Sequence, residues 1–189
     1  MTNNSIETEI KFQVEDLAAL AEKIKSVGGV GLHLNSFQRT ILKDTPDLQL
    51  RGRGVFLRVR DGEKKIMTVK SKVPGSDEKF KERQELEIEV SDVAMAERML
   101  DVLGFTEKWI MEKYRSEYLL EGTVLALDRL PFGNYLEIEG GKDSIDKVVK
   151  ILELENETRL TSTYWHLFDE YKQANNLAGD NIVFDINRE

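Results

Sequence analysis

Acidic and basic residues recur at alternate positions in several short stretches of this 189-residue chain. Glu7, Glu9 and Lys11 are spaced by two, as are Arg58 and Arg60, Lys70 and Lys72, and Lys113 and Arg115. A longer series runs Arg83, Glu85, Glu87, Glu89, and Asp128, Glu137 and Glu139 follow. A spacing of two puts side chains on the same face of a β-strand. Gathered carboxylates suit hard divalent cations, and lysine and arginine suit phosphate oxygens. If these faces converge, the ligand that uses both sets is a long polyanion. If they spread apart, the same residues are the wetted face of an ordinary antiparallel sheet.

The elements that must position them are read from periodicity and turn chemistry. Residues 5–14 read as a strand, residues 14–29 as a helix stopped by Gly28 and Gly29, and residues 36–43 as a further strand. Residues 44–54 read as a loop. Two strands, 55–60 and 64–72, are joined at Asp61–Gly62, and a turn at Pro74–Asp77 leads into a long strand at 80–90. A helix over 91–105 takes Ser91 as its N-cap. Strands at 110–120, 123–130 and 135–140 follow, then helices at 142–154 and 160–176; the last dozen residues read as a short strand or a loose tail. Opposite the charges lie Ile6, Ile10 and Phe12, Leu57 and Val59, Leu86, Ile88 and Val90, Leu125 and Leu127, and Leu136 and Ile138.

The expected fold class is therefore α+β: an eight-stranded antiparallel closed β-barrel, charged face inward, with helices packed outside on the apolar face. Such a barrel has room for side chains or one small ligand. Unpaired buried ions cost several kcal/mol each, so the interior must be hydrated. Glu89 and Lys72, near strand ends, are expected in ion pairs. The length suits one domain, residues 1–176, with a tail at 177–189.

Composition narrows the function. A net charge of −8 argues against a nucleic-acid partner. There is no cysteine, no signal-peptide pattern and no apolar run long enough for a membrane span, which predicts a cytoplasmic protein with no membrane partner, monomer or homodimer. Gly52-Arg53-Gly54 lacks the ending of a P-loop. His33 and His166 read as structural or surface residues, and Trp109, Trp165 and Phe168 as core or helix-packing residues.

Several motifs, in order, resemble one family. Glu7-Thr8-Glu9-Ile10-Lys11 matches the ExExK signature of the CYTH, or triphosphate tunnel metalloenzyme, superfamily. Asp44-Thr45-Pro46-Asp47, Leu57-Arg58-Val59-Arg60, Thr68-Val69-Lys70, Arg83-Gln84-Glu85-Leu86-Glu87 and Lys113-Tyr114-Arg115 resemble its successive motifs, as do the run from Leu127-Asp128 to Glu137-Ile138-Glu139 and the stretch Thr163–Leu167. Thr40 and Leu42 stand where the family often has aspartate and tyrosine, and Thr163 where it has serine.

The resemblance implies a magnesium or manganese site among Glu7, Glu9, Glu85, Glu87, Asp128, Glu137 and Glu139. It implies a triphosphate held by Lys11, Arg58, Arg60, Lys70, Arg83, Lys113 and Arg115. Glu9, Lys70, Lys113 and Glu137 are the expected catalytic groups. The substrates implied are tripolyphosphate, thiamine triphosphate or ATP. Hydrolysis is the first expectation, class IV adenylyl cyclase chemistry (ATP to cyclic AMP and pyrophosphate) the alternative, and a non-catalytic polyphosphate-binding module the rival of another class.

Overall fold

A computed structural model describes residues 3–75 and 79–184. The Pro74–Asp77 turn lies partly outside these residues, as do the last five of the C-terminal stretch. Eight strands are present: β1 (Asn3–Val14), β2 (Val30–Asp44), β3 (Phe56–Asp61), β4 (Ile66–Lys72), β5 (Lys81–Glu89), β6 (Glu107–Leu120), β7 (Thr123–Leu130) and β8 (Gly133–Glu139). Five helices accompany them: α1 (Leu17–Ser26), α2 (Gln49–Gly52), α3 (Val93–Val102), α4 (Lys142–Ile151) and α5 (Tyr164–Asn175). The strands pair in the order β1-β5-β4-β3-β2-β6-β7-β8, all antiparallel. Because β1 bonds to β5 along one edge and to β8 along the other, the sheet is a ring without a free edge.

Alternation decides which face looks in. Ile10, Leu125, Leu136 and Ile138 are all 0% exposed and pack outward against Ile24 of α1 and Ile145, Val148 and Val149 of α4. Leu57 and Val59 of β3 pack outward on Ala96 and Leu100 of α3. Each fully buried aliphatic chain contributes roughly 1.5–3 kcal/mol. With the outer face apolar under helices, the charged positions necessarily turn into the ring.

Local signals set the helix ends. The Asp16 carboxylate accepts from Ala18 N–H (2.8 Å) and Ala19 N–H (3.0 Å), and Thr163 Oγ1 accepts from His166 N–H (3.2 Å). α3 begins one residue later than the sequence suggests: Asp92, not Ser91, is its cap and accepts from Met95 N–H at 2.9 Å. α2 lies in the segment read as a loop. Asp44 creates it by accepting from Thr45 N–H (2.7 Å), Leu50 N–H (2.9 Å) and Arg51 N–H (2.9 Å), which ties up the free donors of a very short helix.

β2 and β6 run further than their alternation indicates, with register shifts between Gly31 and Ser36 where Asn35 takes φ 53°. α5 begins at Tyr164 rather than at residue 160, because Leu160 instead exchanges backbone hydrogen bonds with Lys11 (3.0 and 2.8 Å). After α5 the chain returns to β6, where Ile182 bonds to Ile110 and Glu112 and is 1% exposed. Among the described residues no helix is long and apolar enough to cross a membrane.

Candidate active site

The ring encloses a cavity of about 290 Å³. Its lining carries seven acids (Glu7, Glu9, Glu85, Glu87, Glu117, Glu137, Glu139) and eight bases (Lys11, Arg58, Arg60, Lys70, Lys81, Arg83, Lys113, Arg115). All seven expected phosphate-binding residues are therefore brought together, with six of the seven expected metal ligands. The seventh, Asp128, lies behind this lining at 0% exposure. It accepts from Lys113 Nζ (3.0 Å), Arg115 Nε (2.6 Å) and Tyr164 Oη (2.8 Å), so it holds two lining cations in place.

Two charged lining residues went unnoticed in the sequence, Lys81 and Glu117. The signal existed: one more step of two before Arg83 and after Arg115 reaches each of them. Glu89 and Lys72 lie at strand ends and are exposed, outside the lining. Of the residues read as core or helix-packing, Phe168 is core and Trp165 packs half-buried against the same cluster, while Trp109 is half-buried; both tryptophans line a second cavity.

The interior charges fall into two sets. One set is bonded to itself. Lys11 bridges Glu9 and Glu137, the latter at 3.0 Å, and Arg115 spans Asp128 and Glu137. Lys70 reaches Glu7 (2.5 Å) and Glu85 (3.0 Å), and Lys81 reaches Glu9 (2.5 Å). Burial works against these charges, and at Glu9, Glu137 and Lys11 the partners overcome it. Lys11 and Lys81 hold Glu9 down to about 2, Lys11 and Arg115 hold Glu137 well below the carboxylate range, and Glu137 and Glu9 hold Lys11 above the lysine range.

The other set is under-compensated. Arg60 and Arg83 have no ion pair among the described residues, and Arg58 Nε is buried without a hydrogen-bond partner. Burial, then Arg58 and Arg115, push Arg60 down to about 10. Even in the bonded set crowding tells: burial and the cation Arg115 push Lys113 down to about 8 beside Asp128, and burial and Lys11 push Lys81 to about 8 beside Glu9. On the acidic side, protein packed around the Glu139 carboxyl, together with Glu7, raises it to about 7 although part of the residue meets solvent.

These residues fit a divalent cation accompanying an anion. Glu7, Glu9 and Glu139 come from adjacent strands, with Glu9 and Glu139 register partners, and the crowded Glu139 carboxyl is short of positive charge. Among the described residues no three such side chains are gathered as a ready metal cage. The lining's formal charges nearly balance, so a multiply charged anion entering it needs cations of its own. Arg58, Arg60 and Arg83 offer donors that no carboxylate now saturates.

Residues 5–173 match the CYTH domain. The chain belongs to the CYTH domain family. A Methanocaldococcus jannaschii protein provisionally named an adenylate cyclase, MJ0240, is 30% identical over 179 residues, which is 94% of each chain. The solved structure of PH1819 from Pyrococcus horikoshii is 29% identical with a TM-score of 0.72, covering 87% of this chain and 98% of that one. A Hippeastrum protein, HpAC1, at 20% identity and TM-score 0.60, covers 87% of this chain and 95% of that one and shares the fold. The CYTH match starts just ahead of Glu7 and takes in every charged residue that lines the cavity.

Proposed function

We propose that this CYTH protein is a metal-dependent enzyme that draws a triphosphate into its barrel as into a tunnel and hydrolyses it. The observation that carries this reading is the under-compensated cation set: Arg58 with a buried unpartnered Nε, and Arg60 with no ion pair among the described residues and a pKa pushed down to about 10. A chain of phosphate oxygens supplies the acceptors these groups lack.

Phosphoryl transfer needs mainly positioning and charge neutralisation, with little covalent help. Arg58, Arg60 and Arg83 would grip non-reacting phosphates, while Lys11, Lys70, Lys113 and Arg115 neutralise charge that develops on the transferred group. Glu7, Glu9 and Glu139, with Glu85, Glu87 and Glu137 close by in the lining, would hold magnesium or manganese. Bound there, the ion supplies charge neutralisation and eases deprotonation of the attacking water. Glu137, fixed by Lys11 and Arg115, would orient the reacting end.

The relationship to MJ0240, whose name denotes an adenylate cyclase, supports a second reading: attack by the ribose 3′-hydroxyl on the α-phosphorus. The Hippeastrum structure is described as revealing a dominant triphosphatase activity, but at its identity that likeness extends to fold alone. A substrate panel separates the readings. Tripolyphosphate, thiamine triphosphate and ATP are each offered with magnesium or manganese, and products are resolved into phosphate, pyrophosphate and cyclic nucleotide. Phosphate release is the expected result. Cyclic AMP with pyrophosphate would favour the cyclase, and binding without turnover would favour a non-catalytic module.

A further inference from the structure

The helices leave one part of the outer wall bare. α3 lies on β3 through Ala96 and Leu100 and meets Met67 and Val69 of β4 beside them. α4 covers β1 at Ile10, and its Lys142 reaches β5 at Glu82 (3.1 Å). Between these two covers lies the outward face of β5, on the side away from its lining residues Glu85 and Glu87. Leu86 and Ile88 stand there as register partners of Val69 and Met67, with Ile6 of β1 diagonal to Leu86. Ile6, Leu86 and Ile88 are 40–62% exposed.

α3 adds a ridge to the same face. One of its flanks is tied toward β2 and β6, where Asp101 pairs with Lys43 (2.6 Å) and Glu97 with Lys108. Met95, Met99 and Val102 recur at helical spacing on the other flank, so they project on the side of β4 and β5. They are 55–82% exposed.

Together the six side chains leave on the order of 700 Å² in water, beyond the largest patch of a typical monomer and close to the ~800 Å² per partner of a standard interface. The patch also holds its own complement. A raised helix flank stands next to a flat strand face, so a two-fold axis can seat the ridge of one copy on the strand of the other, and the reverse, at once. At a net charge of −8 per chain, two copies repel across their acidic surfaces, which favours contact through an uncharged face.

We propose that the chain forms a two-fold homodimer through this face, with Met95, Met99 and Val102 of one copy packed on Leu86 and Ile88 of the other. The contact lies on the outer wall, so it leaves the charged cavity of each copy free.

Sedimentation equilibrium on the full chain tests this. At micromolar concentrations the wild type should show twice the 21.7 kDa mass of one chain. Met99→Glu and Leu86→Glu should each weaken the dimer at least about 100-fold, because a two-fold contact buries the new charge twice. Met99→Glu sits on a helix surface and keeps the comparison available should Leu86→Glu fold poorly; circular dichroism reports the fold of each. Val30→Glu replaces an exposed apolar residue of β2, paired with Leu119 of β6 and away from this face, and should leave the dimer intact.

A wild type that sediments as a single chain overturns the proposal and leaves the face to a different protein. A dimer that survives Met99→Glu, or one that Val30→Glu dissociates equally, overturns it as well.

Discussion

Two parts of one interior carry the same residue types and behave differently. Around Glu137, each charge is clamped: Lys11 and Arg115 bond it, and Arg115, Lys113 and Tyr164 converge on Asp128. Along β3, Arg58 keeps a buried unpartnered Nε and Arg60 has no ion pair among the described residues. The first region is arranged like the inside of a folded protein, with desolvated ions paid for by partners. The second is incomplete without an acceptor from outside. Charge alone therefore does not mark a binding surface; the balance of donors against acceptors does.

That contrast can be broken most sharply at Asp128. Asp128→Ala leaves the Lys113 and Arg115 charges buried without their shared partner, so unfolding free energy should fall by about 3–5 kcal/mol, read from denaturant melts. Glu137→Gln is expected to lower turnover at least tenfold, about 1.4 kcal/mol of transition-state stabilisation, and to raise the metal concentration needed for half-maximal rate; steady-state kinetics over a metal titration checks both. Arg60→Ala should invert the pattern of Asp128→Ala: turnover and triphosphate affinity fall about tenfold, while stability moves by less than about 1 kcal/mol, because Arg60 has no ion pair among the described residues to lose. At the small end, Lys72→Ala, an exposed strand-end residue, should change stability by no more than about 0.5 kcal/mol and leave kcat/KM unaltered. A loss for Lys72→Ala as large as that for Arg60→Ala would erase the distinction between lining and rim.

The ring was legible because a period of two survives in single-strand sequence: Glu7-x-Glu9-x-Lys11 and Leu57-Arg58-Val59-Arg60 state which side is polar and which is packed. Lys81 and Glu117 carried the same signal but lay one step beyond the runs as read. The fate of Asp128 was not legible, since its burial depends on Tyr164 arriving from α5, 36 residues further along the chain. α2 was hidden because a single carboxylate, Asp44, makes it rather than any periodicity. The second cavity needs β2, β3, β6 and α5 together, and Trp109 and Trp165 separately look like packing residues.

The central claim, that the under-compensated cations await phosphate oxygens accompanied by a divalent ion, is tested most directly by calorimetry of tripolyphosphate binding to the wild type and to Arg58→Ala, with and without magnesium. The account predicts saturable binding that tightens with magnesium and weakens at least tenfold in Arg58→Ala. Absence of binding, or binding indifferent to both magnesium and Arg58, would contradict it.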